Sequence, residues 1–305
     1  MKENLISVVI PVHNEERNIE LVYKETKTVM EEIKEEKDYE YEIIFVNDGS
    51  TDKTLEILKS IKMHDNNLRI LNMDRNRGEA AGLTAGFQLA KGIYIFTMDG
   101  DGQNDPRYFK EFLSKLEEGY KVITGYRLKR KEPLFRRKIP SRIANKLISI
   151  VTGLKVRDNG CSLKGYVADI PKRVQIPHGF HRFLPALFGV KNEEVLEIPV
   201  LDRKRHWGKS HYGLKRTFEV LRELITFPFV MKNPDFFEKF FKFAFVFNIC
   251  ISLLFGLWIL SNPNLIKIFL EVGFLIGAGL SFIVYKNLKR FNKAQKEGVF
   301  RIEEL

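Results

Sequence analysis

A parallel, doubly wound α/β sheet followed by a membrane-anchoring helical segment is the architecture that this 305-residue sequence predicts. Four apolar runs of strand length precede Asp99, and each closes on a polar cluster. The first three clusters lead into helix-like segments before the next run, and such strand-loop-helix units argue parallel pairing. Beyond residue 212 the chain changes character and long uncharged stretches begin.

The first run, Leu5 to Val12, is continuous and apolar and ends in the turn Pro11-Val12-His13-Asn14-Glu15. An amphipathic helix with Ile19, Val22, Val29 and Ile33 on its apolar face comes next. Tyr41 to Val46 repeats the pattern and closes on Asn47-Asp48-Gly49-Ser50-Thr51-Asp52, where Ser50, Thr51 or Asp52 would cap a helix carrying Leu55, Leu58 and Ile61. Leu68 to Met73 is the third strand, closed by Asp74-Arg75-Asn76-Arg77-Gly78 and a small-residue helix through Ala90. The fourth, Gly92 to Thr97, delivers Met98-Asp99-Gly100-Asp101-Gly102-Gln103.

Two carboxylates one residue apart thus emerge where a strand ends, with glycines that let the backbone turn tightly. Paired acids with a neighbouring amide oxygen suit a hard divalent cation that keeps positions for water and phosphate oxygens. An acidic turn capping the helix near Pro106 would use the same residue types. Four polar clusters at four strand ends favour a single site, because ligands of open α/β sheets bind outside the carboxyl ends of the strands. There is no GxGxxG after the first strand and no GxxxxGK[ST], so a metal at the acidic pair would have to hold the phosphates.

A hydrophobic content of 44% suffices for more than one structural unit, and the net charge of +11 suits nucleic acid, an anionic membrane or phosphorylated small molecules. Cys161 and Cys250 lie far apart in different kinds of sequence, which argues against a disulfide framework and for a reducing compartment. Met1-Lys2-Glu3-Asn4 runs directly into the first strand, so no secretory leader is expected.

Together, the strand with PVHNE, then VNDGSTD, DRNRG and MDGDGQNDP resemble the inverting family-two nucleotide-sugar glycosyltransferases of the GT-A fold, a Rossmann-like, mainly parallel sheet. Downstream segments narrow the resemblance to polyprenyl-phosphate sugar transferases, such as dolichol-phosphate mannose synthase and its bacterial undecaprenyl-phosphate relatives. It implies that Pro11, His13, Glu15, Gly78 and Asp99 lie near a UDP- or GDP-sugar and that Asp48 faces its base or ribose. Asp99 and Asp101 are then the DxD pair, with Asp101, Gln103 and Asp99 at Mg2+ or Mn2+. Asp158 to Lys164 is similar to the family's segment at the acceptor side, and His181-Arg182-Phe183 matches bacterial members. Arg205 to Tyr212 matches an R-x-x-G-x-S-K-Y loop in Arg205, Gly208, Ser210 and Tyr212, with His211 in place of lysine.

Val122 to Arg127 reads as a strand that returns an arginine to the crevice, where a guanidinium could hold a phosphate in two-pronged fashion. Arg127, Arg205, Ser210, His181 and Arg182 are accordingly assigned to the acceptor phosphate, although a lone histidine beside aromatics is equally a structural residue. A lipid phosphate is largely dianionic at neutral pH, its second ionisation lying near ~6, and needs no general base. The leaving nucleoside diphosphate requires neutralising charge, so Asp99, Asp101, Arg127 and Arg205 form the catalytic set, the acids through a metal. A saccharide or lipid hydroxyl acceptor would instead need a carboxylate base, with Asp105 among the first suspects. A non-catalytic, membrane-tethered nucleotide- or metal-binding module is the remaining alternative.

The basic stretches 129–131 and 136–138, with Ser141 to Ile148, form an amphipathic pattern of membrane-surface type. Residues 213–238 are expected to lie in the interface and 239–288 to form two transmembrane helices. Phe243 to Leu260 is free of charge, and Leu265 to Tyr285 is interrupted by Lys267 and Glu271. The catalytic domain is then 1–212, and 289–305 is a basic cytoplasmic tail. Lys239, Lys242, Lys286, Lys289 and Arg290 flank a nearly uncharged turn, which places both ends and the catalytic domain on the cytoplasmic face of the inner membrane. The same flanking charge, facing an anionic leaflet and a polyprenyl phosphate, explains the basic balance without nucleic acid. Gly273, Gly277 and Gly279 give a GxxxG-like spacing that could serve homo-oligomer contacts or pack the two spans together.

Overall fold

The computed structural model describes residues 4–128, 139–203, 214–261 and 264–305. They fall into two compact units, one of residues 1–212 with 298–305 and one of residues 213–297.

In the first unit, β1 (Leu5–Val12), β2 (Glu40–Asn47), β3 (Leu68–Met73) and β4 (Tyr94–Thr97) form where the four apolar runs lie, with β5 (Val122–Arg127) after them. Between them run α1 (Ile19–Lys37), α2 (Thr54–Lys62), α3 (Glu79–Leu89) and α4 (Tyr108–Glu117). Among the described residues the sheet has eight strands in the order β7-β5-β6-β4-β1-β2-β3-β8. β1 pairs in parallel with β2 on one side and β4 on the other, Val8 lying opposite both Ile43 and Phe96. The order therefore reverses at β1, and the crevice outside its carboxyl end is where such sheets take ligands.

Three strands lie outside the expected pattern. β6 (Lys164–Val167) runs antiparallel between β4 and β5, and β7 (Val195–Val200) extends the sheet parallel to β5. β6 is four residues long with a lysine and a glycine in it, and β7 carries Glu197 and Pro199, so neither gives a continuous apolar signal. β8 (Ile302–Glu304) pairs antiparallel with β3. The segment expected as a basic tail thus continues the preceding helix to Glu297 and then returns to the sheet.

On one face of the sheet, Ile6, Val8, Ile10, Ile43 and Phe45 meet Val22, Met30 and Ile33 of α1 and Phe109 and Phe112 of α4. On the other face α3 lies almost flush with β1, its small residues Ala81, Gly82, Ala85 and Gly86 all buried. A Cβ at Gly86 would stand 2.2 Å from Val9 Cγ1, so this close approach requires glycine. The cap of α2 differs by a residue from expectation. Lys53 occupies the N-cap, while Asp52 Oδ1 accepts from the Thr54 amide at 3.0 Å and Oδ2 from the Glu16 amide at 3.2 Å. The expected basic helix forms as α5 (Ile139–Thr152), with Leu147 and Ile150 exposed and Ile148 buried. The basic residues 129–131 and 136–138 lie outside the described residues. A short α6 (Leu184–Leu187) follows.

The second unit holds α7 (Leu214–Lys232), α8 (Pro234–Ser261) and α9 (Leu265–Glu297). In α7, Leu224, Phe227 and Val230 are buried while Leu221, Ile225 and Met231 are exposed, so apolar residues occupy two faces. Glu223 is fully buried between the guanidinium of Arg222 at 3.0 Å and that of Arg290 at 3.6 Å. α8 and α9 pack through Phe245 on Phe282 and Phe255 on Phe274, an antiparallel pairing. Ser252 hydroxyl donates to Glu271, which answers the charge interrupting the second apolar stretch. Gly277 packs against Asn248 across the hairpin, whereas a Cβ placed on Gly273 or Gly279 would meet nothing within 4 Å. Both helices are long and apolar enough to cross a membrane, and only 6% and 17% of their most apolar stretches are buried in the protein, so they are not core helices of a soluble domain.

Gly86→Ala should destabilise the chain by about 2 kcal/mol net, overpacking outweighing a helix-propensity gain of about 1 kcal/mol. A thermal melt in detergent reads this as a lower midpoint, and an unchanged midpoint contradicts the packing of α3 on β1.

Candidate active site

The loops at the carboxyl ends of β1 and β2 are laced together. Asn14 amide donates to Ser50 Oγ at 3.0 Å, Thr51 amide to Asn14 Oδ1 at 2.7 Å, and Glu15 amide to Thr54 Oγ1 at 2.9 Å. The Glu15 carboxylate accepts from Asn18 Nδ2 at 2.5 Å. Asp48 is the centre of this lacing. Its amide donates to Val12 O at 2.9 Å, and its carbonyl lies 2.8 Å from His13 Nδ1. Its carboxylate accepts from the Arg77 amide at 2.6 Å and the Gly78 amide at 2.8 Å, which draws in the loop after β3. Gly49, at φ +59°, backs onto that loop so closely that a Cβ would meet Arg75 C at 2.4 Å. The sequence reading turned the Asp48 carboxylate toward a base or ribose, and here it holds backbone amides. Pro11 packs where a Cβ on Gly82 would be 3.2 Å away, which brings α3 to the same edge.

The acidic loop leaves β4 beside β1, where a Cβ on Gly100 would strike Val12 Cγ1 at 2.4 Å. Asn104 Oδ1 accepts from the Asp99 amide and from Ser162 Oγ, each at 2.9 Å, and Asp101 Oδ1 accepts from the Gln103 amide at 3.0 Å. Burial first, then the charges of Glu79 and Asp101, push the Asp99 carboxyl up to about 7, although Asp99 keeps some accessible surface. Glu79 opens α3 directly after Gly78, and its carboxylate lies 3.6 Å from His181 Nε2. His181 and the half-buried Arg182 share a single 3-10 turn, Phe180–Phe183.

Arg127 acts on the same cluster, its charge opposing the rise of the Asp99 carboxyl. Its guanidinium forks onto Asp158 at 2.7 and 2.9 Å and reaches Asp202 at 3.6 Å. The two-pronged grip expected for a phosphate is therefore made on a carboxylate. Burial opposes the charge on Arg127, but the fork with Asp158 outweighs it and raises its pKa. Lys164 on β6 is buried, and burial lowers its ammonium from the ordinary lysine value against the opposing charges of Asp158 and Glu79. Burial pushes the Cys161 thiol up to about 11, which leaves it unreactive as a nucleophile.

Asp105 differs from a poised base. Burial alone would raise it, but hydrogen bonds from Arg107 at 2.6 to 3.1 Å and the charge of Arg203 hold it below the ordinary carboxylate range. Arg203 also grips Glu25 on α1 at 2.6 and 2.7 Å, donates its amide to the Gln103 carbonyl at 2.9 Å, and accepts from Gln103 Nε2 on its own carbonyl at 3.3 Å.

These contacts bring Pro11, His13, Glu15, Asp48 and Gly78 to one sheet edge, and charge interactions join Asp99, Asp101, Arg127 and Glu79 there. Arg205 and Ser210 lie outside the described residues. Sequence reasoning missed Glu79, Lys164, Asp202 and Arg203. Lys164 sits at the end of a segment that the sequence does single out, but only the fold makes that side chain a buried cation. Among the described residues no three His, Cys, Asp or Glu side chains are grouped closely enough to cage a metal by themselves. The chemistry of the acidic loop nevertheless fits a divalent cation that keeps other positions open, since Asp99 and Asp101 repel and Gln103 engages Arg203 through its amide nitrogen.

Residues 7–173 match the family model described as glycosyl transferase family 2. The chain is 39% identical over 231 residues to a dodecaprenyl-phosphate galacturonate synthase of Rhizobium johnstonii, covering 74% of this chain and 67% of that one. It is 33% identical over 222 residues to an undecaprenyl-phosphate 4-deoxy-4-formamido-L-arabinose transferase of Photorhabdus laumondii, covering 72% and 67%. Its fold is similar to glucosyl-3-phosphoglycerate synthase from Mycobacterium tuberculosis, crystallised with Mn2+, UDP-glucose and phosphoglyceric acid. That likeness has a TM-score of 0.53 at 16% identity and covers 74% of this chain and 79% of the other.

The raised Asp99 pKa has a defined sign in stability. A carboxyl whose folded value exceeds its unfolded value, near ~3.9, contributes stability fully below that value and loses it as pH rises through the folded value. In chelator, the wild-type chain should lose stability relative to Asp99→Asn between pH 5 and 7, by at most about 1.4 kcal/mol per pH unit. Parallel curves of melting temperature against pH for the two proteins would contradict the burial and like-charge account.

Proposed function

We propose, from the fact that this chain belongs to glycosyl transferase family 2, that it moves a sugar from a nucleoside diphosphate to a polyprenyl phosphate at a membrane. The carrying observation is the charge pattern of the crevice. Asp99, Asp101 and Glu79 act on one another's surroundings, the half-buried Arg127 acts on Asp99, and the buried Lys164 feels Glu79 and Asp158. A nucleoside diphosphate and an acceptor phosphate are the anions that such a pattern accommodates together. Both relatives' names specify a polyprenyl phosphate, which supports the acceptor class.

In this reading an oxygen of the lipid phosphate attacks the anomeric carbon, and the bond from that carbon to the diphosphate oxygen breaks on the opposite face, which inverts the centre. The attacking oxygen carries no proton, so no side chain has to remove one. Asp99, Asp101 and Gln103 would hold Mg2+ or Mn2+, which supplies positive charge to the leaving diphosphate. His13, Glu15 and the loops joined at Asp48 frame the nucleotide side. Lys164 and the Arg127–Asp158 fork frame the acceptor side, where an approaching dianion relieves the burial penalty on the lysine. His181 and Arg182, with Arg205 and Ser210, are proposed to complete the phosphate's surroundings.

A hydroxyl acceptor would need a base, and Asp105, one of the acids of the 99–105 segment suspected for that role, is bound by two arginines. The chain leaves the sheet unit before α7 and returns to it for β8 after α9. Two crossings by α8 and α9 therefore return the chain to the side from which it left. With the lysines that flank the hairpin, this supports a multi-pass protein whose sheet unit faces the cytoplasm.

Membranes containing the chain, given undecaprenyl phosphate and a panel of radiolabelled UDP- and GDP-sugars, should yield a label extractable into organic solvent and lost with chelator. Asp101→Ala should lower the rate about a hundredfold or more. Asp105→Asn should cost less than about tenfold with an unchanged pH profile, against the roughly 10²–10⁴-fold of a true general base. Lipid-linked product at the wild-type rate from Asp101→Ala would overturn the proposal.

A further inference from the structure

Beyond the acidic loop, the edge of the sheet farthest from β7 holds an arrangement that the reaction as proposed does not use. β8 pairs with β3 so that Met73 lies opposite Ile302, Asn72 opposite Glu303 and Leu71 opposite Glu304. The Leu305 amide donates to Ile70 O at 3.0 Å, and Leu305 packs against the main apolar core. Four residues, 298–301, separate the end of α9 from this strand.

The anchor under β8 is buried and charged. Arg69 on β3 donates through Nε to Glu304 at 2.6 Å, and through one terminal nitrogen to Glu42 at 2.6 Å and to Leu89 O at 2.9 Å. Glu42 in turn accepts from Ser7 Oγ at 2.5 Å and from the Lys91 amide at 2.6 Å. Arg69 and Glu42 are 8% and 6% exposed, so a buried ion pair between β3 and β2 fixes the guanidinium that the exposed Glu304 of β8 meets.

What β8 holds is the loop that closes on Asp48. The Asp74 amide donates to Arg301 O at 3.4 Å, one residue past the last β3–β8 pair. The Asp74 carboxylate forks onto the Arg77 guanidinium at 2.7 and 2.8 Å, and the amides of Arg77 and Gly78 close on the Asp48 carboxylate. A continuous series of bonds therefore runs from Glu304 through β3 to the residue that ties the β1, β2 and β3 loops together.

We propose that β8, through Arg301 and Asp74, is a positioning element that sets the loop 74–78 for donor binding, so the segment returning from the helical hairpin takes part in nucleotide-sugar recognition. This rests on the reading of that loop as the donor side. Without β8 the edge of β3 is left open, and Asp74 loses its backbone partner just where the loop must turn.

Hydrogen exchange by mass spectrometry on the full-length chain in detergent, with donor and acceptor kinetics beside it, tests this. Glu303→Pro removes the β8 amide that faces Asn72 in the ladder, and Glu304→Ala removes only the Arg69 contact. Glu303→Pro should speed exchange of amides 74–78 about tenfold or more while β1 and β2 keep wild-type protection, with Glu304→Ala intermediate. Donor KM should rise about fivefold or more, with kcat and acceptor KM within about twofold. Loss of β8 protection with unchanged exchange at 74–78 overturns the proposal, as does faster exchange throughout the sheet or an unmoved donor KM. A wild-type chain that transfers no sugar at all counts against the donor-site reading, while the exchange arm still judges the coupling of β8 to the loop.

Discussion

Asp48 concentrates the constraint on which the rest of the sheet edge depends. A single residue at the end of β2 donates to Val12, lies within hydrogen-bonding distance of His13, and accepts the amides of Arg77 and Gly78 on its two carboxylate oxygens. Three loops from three neighbouring strands are thereby fixed to one another. Loops ordinarily carry the mobility of a domain, and a carboxylate accepting two backbone amides withdraws it locally. The glycines beside it serve the same closure, since Gly49 leaves no room for a Cβ against Arg75 and Gly78 adopts φ +87° before α3 begins.

Around this rigid edge the charges are arranged in opposition. Burial and the charges of Glu79 and Asp101 raise the proton affinity of Asp99, while Arg127 is a half-buried cation and Lys164 a buried one. Burial penalises both sets, and ligands of the complementary sign relieve the penalty. Arg127 already faces the carboxylates of Asp158 and Asp202, so Lys164 is the cation with more to gain from an incoming anion. The same arrangement disqualifies the acid nearest to a base's role by sequence, because Asp105 is held ionised by Arg107 and Arg203. Phosphate-to-carbon transfer with a diphosphate leaving group is the chemistry that asks for charge and not for a proton acceptor.

The parallel core of the fold was legible because strands buried on both faces read as unbroken apolar runs, and β1 and β3 begin and end where those runs do. The two long apolar helices were legible for the same reason, apolar length. β6, β7 and β8 were not, since their place is set by neighbours: Gly165 lies against Phe96, and Ile302-Glu303-Glu304 has no apolar pattern and gains its place from Arg69. Within the site, residue types were readable and partners were not. Asp48, Asp99 and Arg127 were identified as important, but that Asp48 holds amides and Arg127 holds Asp158 depends on partners 29 to 31 residues away. Glu79 was hidden as an ordinary first-turn acid of a helix.

The central claim is that the edge fixed by Asp48 and flanked by opposed charges is where a nucleoside diphosphate binds with a divalent cation. A structure of the full-length chain in lipid nanodiscs with UDP or GDP and Mn2+ tests it most directly. The account predicts the diphosphate outside the carboxyl ends of β1 and β4, with the cation at Asp99 and Asp101 and the phosphates between them and the Arg127–Lys164 side. Diphosphate density elsewhere on the sheet unit, with the Asp99–Asp101 loop left untouched, would contradict it.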